Sequence, residues 1–144
     1  MSNKTYAATE ELIKVVIEPA TDPMRAQSLL AARTIDHRVY SMGRRSASRA
    51  YCYDMEPPDC LIAQPYPYTV SRRHCEIERL PDGVIIRDLS SRLGTIVNGE
   101  RLGVRHGQYS QVSLGEGAHS LVLGKSDGPV GFRVIVSKSI RQST

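Results

Sequence analysis

Residues Val70 to Gly99 read VSRRHCEIERLPDGVIIRDLSSRLGTIVNG, and the order of polar and apolar residues in that stretch decides the fold. A polar cluster, Ser71-Arg72-Arg73-His74, runs into an alternation in which Cys75, Ile77 and Arg79 share one face and Glu76 and Glu78 the other. That period of two is the pattern of a half-buried strand. Pro81-Asp82-Gly83 supplies turn chemistry, and Val84 to Asp88 reads as the returning strand. A second polar turn, Ser90 to Thr95, leads into a short apolar run that ends at Asn98-Gly99, the composition of a two-residue hairpin turn. The stretch predicts strand, hairpin, strand, loop, strand, hairpin, with its two polar loops at the same end of a sheet.

Upstream, Leu12 to Ile17 is β-branched and reads as a first strand, closed by the two prolines of Glu18 to Pro23. Met24 to Ile35 fits a helix or, from Ser28 to Ile35, a strand; the strand is the expectation. Arg38 to Met42 alternates and delivers Gly43-Arg44-Arg45 to a loop. Residues 46–58 are an insert longer than most connections. They carry Tyr51 and Tyr53 and close on Pro57-Pro58. Cys60 to Ala63 reads as a short buried strand, and Gln64-Pro65-Tyr66-Pro67-Tyr68 holds too many prolines for a central one. Downstream, Val112 to Leu114, Leu121 to Leu123 and Gly131 to Val136 read as strands. The whole predicts one all-β domain at residues 11–137, an antiparallel sandwich, flanked by a flexible arm at 1–10 and a polar tail at 138–144.

The 144 residues suffice for one cored domain. A hydrophobic share of 40% and a charged share of 24% are those of a soluble globular chain. No apolar run is long enough for a membrane span, and no apolar h-region follows Met1 to Thr5, so no secretory signal or membrane partner is expected. Cys52, Cys60 and Cys75 form no Cys-x-x-Cys and read as reduced thiols of a cytoplasmic protein, with a Cys52–Cys60 bridge left open. The net charge is only +4, but lysine occurs just at Lys4, Lys14, Lys125 and Lys138, while arginines crowd the middle at Arg44, Arg45, Arg49, Arg72, Arg73, Arg92, Arg101 and Arg105. The planar guanidinium fork matches phosphate or carboxylate oxygens two at a time. That points to an anion site built from several loops, against the plainer reading of a solvated surface.

Gly43-Arg44, Ser71-Arg72-Arg73-His74 and Asp88 to Gly99, in that order, resemble the Gly-Arg, Ser-x-x-His and Asn-Gly-Thr-x-x-Asn-Gly blocks of the forkhead-associated (FHA) domain. The resemblance implies a β-sandwich of about eleven strands that binds phosphothreonine peptides through loops at one end. Carried over by position, Arg44 pairs with the phosphate and Ser71 donates its hydroxyl to it. Arg72 contacts the phosphate or the peptide backbone. Apart from the resemblance, Arg92 sits in the second loop and is expected to line the site, and Leu93 beside it is counted among the peptide contacts. Gly43, His74, Gly94, Thr95, Asn98 and Gly99 support the loops, His74 as a structural brace. Leu93 departs from the family, which usually has Asn before Gly-Thr to hold the peptide backbone, and the 46–58 insert is a second departure.

The implied activity is a non-catalytic phosphothreonine-binding interaction module, with a Ser/Thr-kinase substrate as its partner and no cofactor or metal. Two rivals stand beside it. One is an FHA-like scaffold that binds a protein without phosphate, motivated by Leu93 and the insert. The other is a basic nucleic-acid-binding β-domain, disfavoured by the low net charge and the lack of an aromatic stacking stripe. No paired carboxylates, metal-ligand spacing, phosphate-cradling glycine loop or nucleophile elbow marks an enzyme. His74 beside Cys75 is not a catalytic pair, because strand neighbours face opposite ways. By the same rule only one of Arg72 and Arg73 is expected to face a ligand.

Overall fold

The computed structural model describes residues 9–46, 56–103, 105 and 109–142. In chain order the strands are β1 (Thr9–Pro19), β2 (Arg33–Ile35), β3 (Val39–Arg44), β4 (Cys60–Ile62), β5 (Cys75–Leu80) and β6 (Gly83–Asp88). They continue as β7 (Thr95–Val97), β8 (Glu100–Leu102), β9 (Gln111–Leu114), β10 (Gly117–Leu123) and β11 (Gly131–Gln142). Six of them form one sheet in the order β2-β1-β11-β10-β7-β8, and five form a second in the order β4-β3-β5-β6-β9. Neighbours pair antiparallel except β3 and β4, which run parallel from Met42↔Cys60 to Arg44↔Ile62. The all-β sandwich expected from the sequence is the fold, with eleven strands.

The two sheets bury the apolar side of each alternation between them. Val15, Ile17, Leu121, Leu123, Val134 and Val136 come from the six-stranded sheet, and Met42, Ile77, Val84, Ile86 and Leu114 from the five-stranded one. Each such side chain contributes about 1.5–3 kcal/mol when fully buried. Ile77 and Ile86 lie directly opposite one another in the β5–β6 register. On the outer face of that hairpin, Arg87 bridges Glu76 at 2.7 Å and Glu78 at 3.0 Å. The hydrogen bond from Arg87 holds the Glu78 carboxyl below its usual range. Arg79 shares the inward parity of Ile77 and donates Nη2 to the Ile13 carbonyl of the facing sheet at 3.0 Å.

Two stretches differ from the sequence reading. The strand expected over Ser28 to Ile35 is confined to β2; the preceding residues form a short helix α1 (Asp22–Arg25) and a 3-10 turn at Ser28–Leu30. Pro23 suits a first helical turn, and the turns seat Met24 and Leu30 as buried plugs at the core. A run this short presents no period long enough to show a helix. The second difference lies at the ends. β1 begins at Thr9 and β11 continues to Gln142, paired in register as Thr9↔Gln142, so residues 9–10 and 138–142 belong to the sheet rather than to an arm and a tail. The sequence there is polar, and the apolar Ile140 is 74% exposed. Strand pairing there rests on backbone hydrogen bonds, which leave no hydrophobic signature. Most of the insert, including Tyr51, Cys52 and Tyr53, lies outside the described residues.

Candidate anion-binding groove

The loop between β4 and β5 and the loop between β6 and β7 meet at one end of the sandwich, and the second crosses from the five-stranded sheet to the six-stranded one. His74 ties them together. Its ring is fully buried; Nδ1 accepts the Ser71 N–H at 3.0 Å, and Nε2 lies 2.7 Å from the Gly94 carbonyl. An acceptor at Nδ1 places the proton on Nε2, so the ring is the neutral Nε2–H tautomer. Burial pushes its pKa below the ordinary histidine value. The His74 backbone is fixed as well, its N–H donating to Met42 and its carbonyl accepting from Leu89.

Beneath the second loop lies a buried carboxylate. Asp88 is 4% exposed and accepts from the Ser91 hydroxyl at 2.6 Å, the Thr95 hydroxyl at 2.7 Å and the Ser91 N–H at 3.1 Å. Ser91 Oγ in turn accepts the Gly94 N–H at 2.9 Å. Among the described residues, no buried side-chain polar atom of this turn is left without a partner, which is how a buried loop avoids the cost of orphaned groups. Arg101 clasps the far side by donating to the carbonyls of Leu93 and Gly124. Gly94 sits at φ +92°, and a Cβ there would come within 2.9 Å of the Leu102 carbonyl.

Gly43 explains why the Gly-Arg pair must open with glycine. A Cβ on it would lie 2.0 Å from the Arg72 carbonyl oxygen, so only a bare backbone lets β3 pass beneath the Ser71–His74 loop. Arg44 follows, its N–H on the Ser71 carbonyl and its Nε on the Val70 carbonyl, both at 3.0 Å. Its guanidinium carbon stands 3.8 Å over the centre of the Tyr68 ring, a cation–π stack. Gln64 steadies the loop that presents Tyr68 by accepting the N–H groups of Thr69 and Val70 with one oxygen.

These elements enclose an open groove of about 720 Å³ lined by Arg44, Ser71, Arg72, Arg73, Arg92 and Arg105 with Tyr66, Pro67, Tyr68, Val70 and Ser90. Ser71 Oγ accepts the Arg92 N–H at 3.0 Å. That bond uses a lone pair and leaves the hydroxyl proton to donate, and among the described residues it has no acceptor. Arg92 also reaches back to the Tyr68 carbonyl. Four of the residues singled out in the sequence as ligand contacts, Arg44, Ser71, Arg72 and Arg92, thus line one groove.

Leu93 is half-buried and is not among the groove-lining residues; its carbonyl is turned to Arg101. Thr95 is fully buried on Asp88. Asn98 and Gly99, at φ +51° and +87°, form the far turn of the β7–β8 hairpin. There Asn98 Oδ1 accepts the Ser120 N–H at 2.9 Å, and Nδ2 approaches His119 Nδ1 at 3.0 Å.

Arg73 corrects the parity argument: both it and Arg72 border the groove, because residues 72–73 bend rather than continue as extended strand. Sequence reasoning also passed over Tyr68 as the stacking partner of Arg44, and over Asp88. A signal for Asp88 was present, since Val84, Ile86 and Asp88 share the inward parity of one strand.

The FHA-domain family model matches residues 40–118, more than half of the chain, and the protein belongs to the FHA family. No curated sequence matches it. Among solved structures it is similar to the FHA domain of CT664 from Chlamydia trachomatis, at 19% identity and a TM-score of 0.55 over 85% of this chain and 95% of that one. It is also similar to the FHA-1 domain of Mycobacterium tuberculosis Rv1747, at 17% identity and a TM-score of 0.56 over 87% and 97% of the two chains. A third is the N-terminal FHA domain of S. cerevisiae Rad53p, a structure in complex with a phosphothreonine peptide. There the identity is 15% and the TM-score 0.56, over 89% of this chain and 94% of that one. At these identities the likeness is one of fold.

Proposed function

We propose that the protein is a phosphothreonine-peptide-binding module that recruits substrates of a Ser/Thr kinase, without catalysis, in the cytoplasm. One observation carries the reading: Arg44, Ser71 and Arg72 line a single groove and are held there by a neutral, buried His74. A phosphate dianion needs several fixed donors, and charge-assisted bonds to guanidinium are the strong ones. Ser71 supplies the neutral donor, because its oxygen already accepts from Arg92. The phosphothreonine peptide bound by the Rad53p domain on the same fold supports the choice of ligand. Cys60 and Cys75, both buried free thiols, fit a reducing compartment.

Arg44, Arg72 and Arg92 would bind the phosphate directly, while Gly43, Asp88, Ser91 and Gly94 would set where they stand. With Leu93 outside the groove, the peptide backbone would be held by other groups than the family's usual Asn. The test is binding of a degenerate phosphothreonine library and its unphosphorylated counterpart, by wild type and by Arg44→Ala. Binding of phosphorylated peptides alone, weakened by salt and abolished by Arg44→Ala, is the expected result. Equal binding of both libraries, unaffected by Arg44→Ala, would instead make it a phosphate-independent scaffold.

A further inference from the structure

Leu93 has no polar side-chain atom, so hydrogen bonds can hold the second loop there only through its backbone. Both ends of the peptide unit that joins Leu93 to Gly94 are taken. The Gly94 N–H donates to Ser91 Oγ at 2.9 Å, and the Leu93 carbonyl accepts from Arg101. The same nitrogen, Arg101 Nη1, also donates to the Gly124 carbonyl at 3.1 Å. One cationic nitrogen thus gathers two carbonyl oxygens, one from the β6–β7 loop and one from the residue that follows β10. Carbonyl oxygens aimed at one point repel each other unless a donor stands between them, and a charged donor holds them most firmly. Gly124 closes the arrangement, because its N–H donates at 3.0 Å to the Gly94 carbonyl, the oxygen that His74 Nε2 also meets.

Strand pairing fixes where Arg101 stands. It lies on β8 opposite Ile96 of β7 and is half-buried. Its stem packs on the loop itself, since a Cβ on Gly94 would come 3.0 Å from Arg101 Cγ. Among the described residues no carboxylate lies within ion-pair distance of Arg101. Its hydrogen bonds go to carbonyls instead of to a surface ion pair. Arg101 is not among the groove-lining residues, so what it does for a ligand it does through the loop. The next residue back along the chain from Leu93 is Arg92, whose N–H sits on Ser71 Oγ at 3.0 Å. We propose that Arg101 is a positioning residue for the groove: by pinning the Leu93 carbonyl it keeps the Arg92 N–H on Ser71 Oγ, and so aims the Ser71 hydroxyl proton at the ligand. The inference rests on the phosphothreonine reading, which makes that hydroxyl a phosphate donor.

The experiment is a double-mutant cycle on the full chain. Calorimetric titration with a phosphothreonine peptide selected from the degenerate library compares wild type, Arg101→Met, Ser71→Ala and the double variant. Urea unfolding of each protein checks that it is folded. Arg101→Met keeps the apolar stem and removes the donors. It should weaken peptide binding about tenfold in the wild-type background, but less than about twofold once Ser71 is Ala. Arg101→Lys keeps an ammonium with three protons, enough for both carbonyls, and should recover most of the affinity. If Arg101→Met does not fold, Arg101→Gln takes its place in the cycle with the same expectation.

A role in folding alone would lower stability and multiply the dissociation constant by the same factor in both backgrounds. That equality, or an Arg101→Met protein that binds like wild type, overturns this inference and leaves the phosphothreonine reading in place. A wild-type protein that binds no phosphothreonine peptide overturns both.

Discussion

The two sides of the same pair of loops are built on opposite principles. On the inner side, His74, Asp88, Ser91 and Thr95 are all buried, and each side-chain polar atom meets a partner within the protein. On the outer side, Arg72, Arg73, Arg92 and Arg105 are exposed around an open groove with no carboxylate among the described residues that line it. The inner side converts sequence into loop geometry, and its cost of failure is borne by folding. The outer side holds charge that folding does not need, and its cost of failure falls on ligand binding. Substitutions should therefore sort cleanly: inner-side changes lower stability and binding together, and outer-side changes lower binding alone.

The largest effect is expected at Asp88. Asp88→Ala leaves the hydroxyls of Ser91 and Thr95 and the Ser91 N–H buried without an acceptor. One orphaned buried donor costs about 1–3 kcal/mol, so the loss of stability should reach about 3 kcal/mol, partly recovered in Asp88→Asn. Urea unfolding monitored by circular dichroism measures it. A loss under about 1 kcal/mol would mean that the turn does not depend on its carboxylate. Next comes Arg72→Ala, which breaks the comparison from the other side. Arg72 is exposed, so unfolding should shift by no more than about 0.5 kcal/mol. Phosphopeptide affinity should fall about tenfold, as expected for a charge-assisted contact. An equal loss in stability would erase the distinction between the two sides.

Acid should weaken the inner side before the outer one. His74 is neutral in the fold, with its pKa held below 6.5 by burial. Above the unfolded value both states are unprotonated, and His74 adds no pH dependence. As pH falls below about 6.5 the unfolded chain takes up a proton that the folded one refuses, so stability declines by up to about 1.4 kcal/mol per pH unit until the folded pKa is reached. Protonation at Nδ1 would also break the bond from Ser71 N–H. The decline should vanish in His74→Gln, whatever its baseline stability. Its persistence in that variant would assign it to another group.

What the sequence disclosed followed from where side chains alternate. β5 and β6 could be read residue by residue because each buries one face, Cys75 and Ile77 opposite Asp88 and Ile86. Gly43-Arg44 and Ser71 to His74 stood out because loop residues at strand ends have few other reasons to be glycine, arginine and histidine. The extension of β1 and β11 was hidden, since its sequence is polar on both parities and backbone pairing alone leaves no pattern to read. The convergence of Arg73 and Arg105 on the groove was hidden for a different reason. Parity holds only on extended backbone, and residues 72–73 bend. Tyr68 stacking on Arg44 joins two loops distant in sequence, which no local pattern encodes.

That stack supplies the finest test, because Tyr68 sits on the boundary between the two sides. It is 40% exposed, so its ring contributes modestly to folding, yet it covers one face of the Arg44 guanidinium at 3.8 Å while its carbonyl receives Arg92. A cation–π contact at a partly exposed site is worth about 0.5–1 kcal/mol. Tyr68→Leu keeps the backbone carbonyl and most of the apolar bulk but removes the π face. Phosphopeptide binding should weaken only two- to fivefold, about 0.4–1 kcal/mol, with unfolding almost unchanged. Tyr68→Phe retains the ring and should bind like wild type. If Phe and Leu behave alike, the ring does not orient Arg44, and that role falls to the Arg44 Nε bond to the Val70 carbonyl.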